Sequence, residues 1–534
     1  MSEVSQSAKK LISSYQFWYK SLQSKEGGGL IHIDEVVSKV ATFYEKMRGV
    51  IDWREEHLLR KTAIERILKR RIFLKRSGKE ISEPFINELI RGGHFPNDAI
   101  PESKITEIQK SIDKYIYILD NAPAHNLKKM RSQLYDWLLG IAACEMEEIL
   151  SPSIKETAIM DFMLEQMKEK IEITGNSLVS KIIPEDEKNT QIYIAVQEAL
   201  FKLDPPLIHH NLLKKIYPDW TDLPQEKLQE LAQNIYSAWE RLEKDLNHPL
   251  AEKFYAICER YDTAYLLLSD VISKEPLEIL NTLKNPDIFE SKIKAAYKER
   301  LKKNKGRLKR AAFYSTLSIF LSKILIAFAI EVPFDKYFSH GLSYSNLGLN
   351  VIVPPILMAF LVLSIRPQSK QNEQLAVMEV MKITYERERK DTYEVRPSRK
   401  RGFVLNSVIA LIYLLSFAGS FGLIFWELRR LDFSIISIVI FLIFISLISF
   451  TGVKIRQRAK ELKVEKDEES FFNIFIDLFS LPIIQVGRWL SNQWVKYNAI
   501  VILFNSLLDM PFQVFVEFLE QWRSFLKEKK EEIH

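Results

Sequence analysis

The sequence predicts an all-α protein in three parts: a large helical domain, a four-helix transmembrane region and C-terminal amphipathic helices. Three observations predict it. Composition changes abruptly near Ala311, from charged, helix-patterned sequence to long apolar runs. Those runs, at 311–332, 345–365, 403–425 and 433–453, each have the length needed to cross a bilayer, about 20 apolar residues. The chain is also poor in Gly, rich in Lys, Glu, Ile and Leu, and shows few of the alternating patterns that mark strands.

In the first part, 1–297, turn signals cut helical sequence into pieces. They are Gly27-Gly28-Gly29, Ser77-Gly78, Gly92-Gly93 with Pro96, and the prolines at 152, 184, 205, 206, 218, 224, 249, 276 and 286. Between the cuts, helices are expected over 34–48, 51–76, 103–119, 124–149, 153–172, 224–246 and 249–272, the first capped by Asp34. Such lengths with short links predict antiparallel helical hairpins. No fixed repeat period is visible, and shifts near 77–101 or 173–190 leave room for two subdomains.

The piece 51–76 carries an apolar stripe, Ile64, Ile67, Leu68 and Ile72. Arg60, Lys61, Arg66, Lys69, Arg70, Arg71, Lys75 and Arg76 cover the rest, which reads as a solvated face or a surface for phosphates or an acidic partner. Cys144 and Cys258 sit in no metal or redox spacing and read as buried thiols of a reducing compartment. The run from Cys144 through Glu145, Met146, Glu147 and Glu148 reads as a helix face turned to water. His209-His210 is the one adjacent histidine pair, and neighbouring helical residues point about 100° apart, so it is no one-face metal clamp. Arg76-Ser77-Gly78-Lys79 ends like a phosphate loop but lacks the upstream glycine and the following Ser or Thr.

Charge then sets the topology. Basic clusters precede the first span at 298–310, fill the loop 366–402 and follow the fourth span from Lys454. The loops 333–344 and 426–432 carry little net charge. The positive-inside rule gives one solution: both termini cytoplasmic, four spans, in the cell membrane. The N-terminus has no basic stretch followed by an apolar run, so no signal peptide is expected. Clusters of Lys and Arg beside a span also attract anionic lipid headgroups, which makes Lys302, Lys303, Arg307, Lys309, Arg310, Arg399, Lys400 and Arg401 the expected lipid contacts.

Within the spans, Lys323 lies near the middle of the first, beside the serine face of Ser315, Ser318 and Ser322, and Glu331 ends that span. An ionised side chain there costs at least about 2.5 kcal/mol on insertion scales, so Lys323 must face protein or water. Asn346 and Asn350 stand one turn apart in the second span, where Pro354-Pro355 is expected to kink or break the helix. Lys323, Asn346 and Asn350 together form the candidate intramembrane polar site; interhelical glue is the plainer reading. The third span offers a small-residue surface at Ser416, Ala418, Gly419, Ser420 and Gly422 for close helix approach. The fourth is nearly featureless and expected to face lipid over much of its girth.

The C-terminal part, 454–534, is apolar but interrupted. Asn473, Asp477, Ser480, Arg488 and Ser491 recur at helical spacing around Pro482, and Asn505, Asp509, Gln513 and Glu517 recur in steps of four. With Trp489, Trp494, Tyr497 and Trp522 these read as amphipathic helices along the membrane surface; an even number of extra crossings would leave the topology unchanged.

A net charge of +6 is mild for this length and speaks against a nucleic-acid binder. No catalytic, cofactor or metal signature emerges, and no catalytic residue is assigned. The expected role is a non-enzymatic membrane-anchored interaction protein whose helical domain meets a protein partner. The alternative is an oligomeric channel or transporter subunit using Lys323; a lipid-acting enzyme ranks last.

Overall fold

The computed structural model describes residues 4–23, 29–33, 56–74, 77–124, 128–174, 183–338, 344–363, 370–385, 392–396, 402–459, 462, 471–497, and Phe518, Trp522 and Phe525. The Asp34 cap with the helix over 34–48, most of the glycine run at 27–29, the lipid contacts Arg399, Lys400 and Arg401, and the polar stripe over 505–517 lie outside the described residues. The chain forms two compact units. One comprises Met1–Phe289, Val380–Pro397 and Phe504–His534; the other comprises Glu290–Glu379 and Ser398–Leu503. The described residues are almost entirely helical.

The first unit begins with α1 (Gln6–Gln23), α2 (Glu56–Leu74), α3 (Gly78–Arg91), α4 (Ser103–Asn121), α5 (Lys128–Leu150) and α6 (Ile154–Lys170). After a short strand β1 (Ile171–Ile173) come α7 (Glu185–Phe201), α8 (Pro205–Ile216), α9 (Gln225–Gln233), α10 (Ile235–Leu246), α11 (Ala251–Lys274) and α12 (Ile279–Leu283). The apolar stripe of α2 enters the core: Ile64, Ile67, Leu68 and Ile72 are all buried beside α3, α4 and α5 residues such as Phe85, Ile112 and Leu138. The expected piece over 224–246 is two helices, divided at Asn234.

Glycine decides two turns here. Gly93 takes a left-handed φ of 74°. That lets its N–H reach Ile90 O (2.9 Å) and the His94 N–H reach Leu89 O (3.0 Å), the paired bonds that close a helix C-terminus. Gly78 opens α3 where a Cβ would sit 2.5 Å from Gln109 O, so only glycine fits. Its N–H donates to Asp113 Oδ1 at 2.7 Å. The segment that resembles a phosphate loop is thus a helix start whose anion is an internal carboxylate.

One finding departs from the expected loop over 366–402. The described part of it holds α16 (Lys370–Thr384) and a strand β2 (Tyr393–Val395). β2 pairs in parallel with β1, Ile171 opposite Tyr393 and Ile173 opposite Val395. The Tyr261 and Tyr393 rings stack 4.6 Å apart, Tyr385 OH donates to Leu283 O at 2.9 Å, and the Ser5 N–H donates to Thr384 O at 3.0 Å. Tyr385 and Val395 are buried.

The second unit contains α13 (Pro286–Ile326, from Glu290 on), a π-helical turn (Ala327–Glu331), α14 (Val332–Phe338), α15 (Tyr344–Leu363), most of α16, α17 (Phe403–Arg430), α18 (Ile435–Ala459) and α19 (Phe471–Tyr497). Four stretches, Pro286–Phe334, Ser345–Leu363, Phe403–Arg430 and Ile435–Gln457, are long and apolar enough to cross a membrane. The chain therefore has the architecture of a polytopic membrane protein.

Two expectations about the spans are corrected. α15 runs unbroken through Pro354 and Pro355. The fourth span, expected to face lipid over much of its girth, is the most buried of the four: half of its apolar window is buried, against 11% for the third. Ile438, Phe441, Phe444 and Ile448 of α18 form the centres of two small cores with Met358, Leu428 and Phe433. A helix apolar all round carries no pattern that says which side packs.

Candidate functional site

Two clusters of ionisable groups stand out, one in each unit. In the membrane unit Lys323 Nζ donates to Glu331 Oε1 at 2.5 Å, and Asn350 Nδ2 donates to Glu331 Oε2 at 2.7 Å. All three side chains are buried, and the Lys323 ammonium lies 5.1 Å from the centre of the Phe444 ring. Donors from the first and second spans thus meet on one carboxylate, and an aromatic ring of the fourth span lies against the ammonium. A buried charge in hydrocarbon needs this kind of pairing.

The π-helical turn makes the pairing possible. Eight residues of regular α-helix turn about 800°, leaving the eighth about 80° off the starting face. A π turn absorbs one extra residue, so Glu331 comes round as a seventh neighbour, within about 20° of Lys323. Helical periodicity in the sequence hides this pair, and Glu331 reads there as the mere end of a span.

Asn346 does not join the cluster. Its Nδ2 donates to Leu431 O at 3.0 Å and to Asp432 O at 3.2 Å, bracing the turn between the third and fourth spans. That turn needs bracing because Asp432 holds a left-handed φ of 59°.

The cluster in the first unit corrects the expectation that the run from Cys144 to Glu148 faces water. Cys144, Glu145 and Glu147 are buried rather than turned to water, and Glu148 is half-buried. Glu145 accepts from Lys114 Nζ, Tyr115 OH and Trp220 Nε1, each at 2.8 Å, and Lys114 also lies 4.6 Å from the Trp220 ring. Glu147 accepts from Arg60 Nε at 3.2 Å, and Glu148 meets His210 Nε2 (3.2 Å) and Lys214 Nζ (2.5 Å). Lys61 pairs with Asp204. His209 Nδ1 accepts from Trp137 Nε1 at 2.9 Å, so the two histidines serve separate partners.

Burial sets the electrostatics of this cluster. Burial pushes the Cys144 thiol well above its ordinary range, the opposite of an activated nucleophile. Burial drives His210 down to about 3, which keeps it neutral, and lifts Glu147 to about 7 against the pull of Arg60. Among the described residues no group of three His, Cys, Asp or Glu side chains is placed to hold a metal ion.

Five cations of the basic face of α2 pair within the protein. Besides Arg60 and Lys61, Lys69 pairs with Asp136 (2.7 Å), and Arg70 and Arg71 both pair with Glu88, the latter at 2.7 Å. The juxtamembrane residues Lys302, Lys303, Arg307, Lys309 and Arg310 are all exposed on α13. At 1.5 Å per residue they lie within about 14 Å of the start of the first apolar run, close to headgroup depth. Compared with known proteins, the chain matches no family model, no curated sequence and no solved structure.

Proposed function

We propose that this chain is a non-enzymatic, membrane-anchored interaction protein whose first unit meets a protein partner at the cytoplasmic face of the cell membrane. The observation that carries the reading is the β1–β2 pairing. A strand that follows two spans completes a fold begun before them, so the first unit is an integral part of an anchored protein and not a passenger on a tether. Residues 171 and 393 must then share one side of the bilayer, which agrees with the side that the basic clusters favour. The ion pairs around Glu145 and Glu147, closed on each other, support a binding role over catalysis. The exposed cations from Lys302 to Arg310 would hold anionic headgroups.

The test uses the full-length protein in its own membranes. Photocrosslinking side chains at Phe17 and Leu22, exposed on α1, should yield the same adduct with one partner, and a control at Ile216 should not. Adducts with lipid alone, or identical adducts at all three positions, would remove the reading.

One observation favours a second reading, a transport or channel subunit. Asn350 Oδ1, buried beside Glu331, has no hydrogen-bond partner among the described residues and offers an acceptor to a passing cation or proton. Vesicles carrying wild-type protein should then pass an ion that Glu331→Gln and Lys323→Leu variants do not. Tight wild-type vesicles would eliminate it.

A further inference from the structure

We propose that α19 crosses the membrane as a fifth transmembrane helix, with its exposed flank against lipid acyl chains, rather than lying along the surface. The first observation concerns Pro482, which stands inside this helix. Proline has no N–H, so the Leu478 carbonyl one turn earlier loses its helical partner. Ser416 of α17 donates its hydroxyl to that same carbonyl. Ser420 Oγ lies 2.7 Å from Phe479 O, the next carbonyl along, and equally 2.7 Å from Ser416 O, so its single proton is shared. Ser416 and Ser420 are two of the three buried side chains on α17, which otherwise exposes its girth. In water, solvent would satisfy a freed carbonyl at no structural cost. In hydrocarbon a neighbouring helix must do it, and serines opposite a proline are how membrane helices manage.

The second observation is independent. A Cβ on Gly487 would lie 1.9 Å from Ser446 O and 2.6 Å from Ser446 C. Backbone therefore meets backbone, the close approach that small residues allow where there is no hydrophobic drive between helices. Ser446 is buried and sits eleven residues after Ile435 and thirteen before Ala459, at the middle of α18. Ser416 is likewise thirteen residues into the 28 of α17. Leu478 and Phe479 thus touch the third span and Gly487 touches the fourth, each within the long apolar stretch of that helix.

Length completes the argument. Sixteen residues from Phe471 bring the chain about 24 Å along the helix to Gly487, and ten more carry it about 15 Å further to Tyr497. A bilayer half-thickness is about 15 Å, so the helix is long enough to pass mid-depth and reach the far side. The exposed residues of the described part of this helix are Phe479, Leu481 and Trp489 together with the polar Gln485, Arg488 and Asn492, and Gln485 Oε1 accepts from Tyr413 OH at 2.6 Å. Arg488 is exposed next to Gly487, and its charge is met there by snorkelling along its stem together with local thinning of the bilayer.

Two measurements on the full-length protein in lipid nanodiscs test this. Spin labels at Leu481→Cys and Trp489→Cys should be accessible to oxygen and shielded from a water-soluble nickel chelate, matching a label at Leu414→Cys on the third span. Accessibility like that of a label at Lys302→Cys would overturn the proposal. The second test is a rescue. Ser416→Ala with Ser420→Ala should lower the melting temperature by about 5 °C or more, and adding Pro482→Ala, which returns an N–H to Leu478 O, should recover at least half of that loss. No loss on removing the serines would mean that water already serves the carbonyl, and the helix would belong at the surface. Should the serine variants fail to fold, the label depths still decide.

Discussion

Glu331 binds two donors from two spans, and its removal is the sharpest test at the scale of a residue. Glu331→Gln leaves the Lys323 ammonium buried without its anion, and breaking one side of a buried pair costs roughly 3 kcal/mol or more. The variant should melt several degrees lower in detergent, whereas Lys323→Leu with Glu331→Leu should recover most of the loss. Equal melting of all three would show the pair to be inert. Asp262 gives a pH test in the first unit. Buried with a single hydroxyl donor, Thr263 Oγ1 at 3.1 Å, its carboxyl is pushed up to about 7. Between about pH 4 and pH 7 the folded protein holds a proton that the unfolded chain has released, so stability falls as pH rises through that window and levels off above it. Asp262→Asn should remove a decline of about 2.5 kcal/mol, read as the difference in melting temperature between pH 5 and pH 7.5. An unchanged difference would mean that Asp262 ionises normally. At this scale Lys323 and Asn350 are legible in the sequence because a polar group in an apolar run has to be paired. Glu145 and Glu147 are not, because their partners Lys114 and Arg60 lie on other helices, 31 and 87 residues away.

At the scale of elements, β2 should matter more than its three residues suggest. Val395 is buried in the pairing with β1, and Val395→Asp should cost about 3 kcal/mol by burying an unpaired carboxylate. Limited proteolysis of the full-length protein in membranes should then cut the first unit several-fold faster; an unchanged rate would make β2 an ornament. A fragment of residues 1–297 lacks β2 and Tyr385, and is expected to be less stable than the same unit in the whole chain. Most helices of this unit are readable from periodicity and from their Gly and Pro boundaries, as the buried stripe Ile64, Ile67, Leu68 and Ile72 illustrates. A three-residue strand offers no period to read. Its existence depends on a partner more than 200 residues earlier in the chain.

For the whole molecule the testable quantity is its grip on charged lipid. Lys302→Gln, Lys303→Gln and Lys309→Gln together should weaken retention of anionic over zwitterionic lipid by roughly 1 kcal/mol per charge at low salt, measured by lipid co-purification. Retention independent of these charges would assign them to orientation alone. Sequence by itself determined the helical class, the position of the four long apolar helices and the polar residues within them that demand partners. Each follows from composition and spacing along one segment, and those are local properties. Tertiary structure alone decided that Glu331 joins Lys323 through a π-helical turn, that the fourth span is more buried than the third, that Arg60, Lys61, Lys69, Arg70 and Arg71 of α2 are paired from within, and that a strand after two spans closes the fold before them. These are pairings between distant segments, and a side chain's preference for burial or charge says that it needs a partner without saying which one.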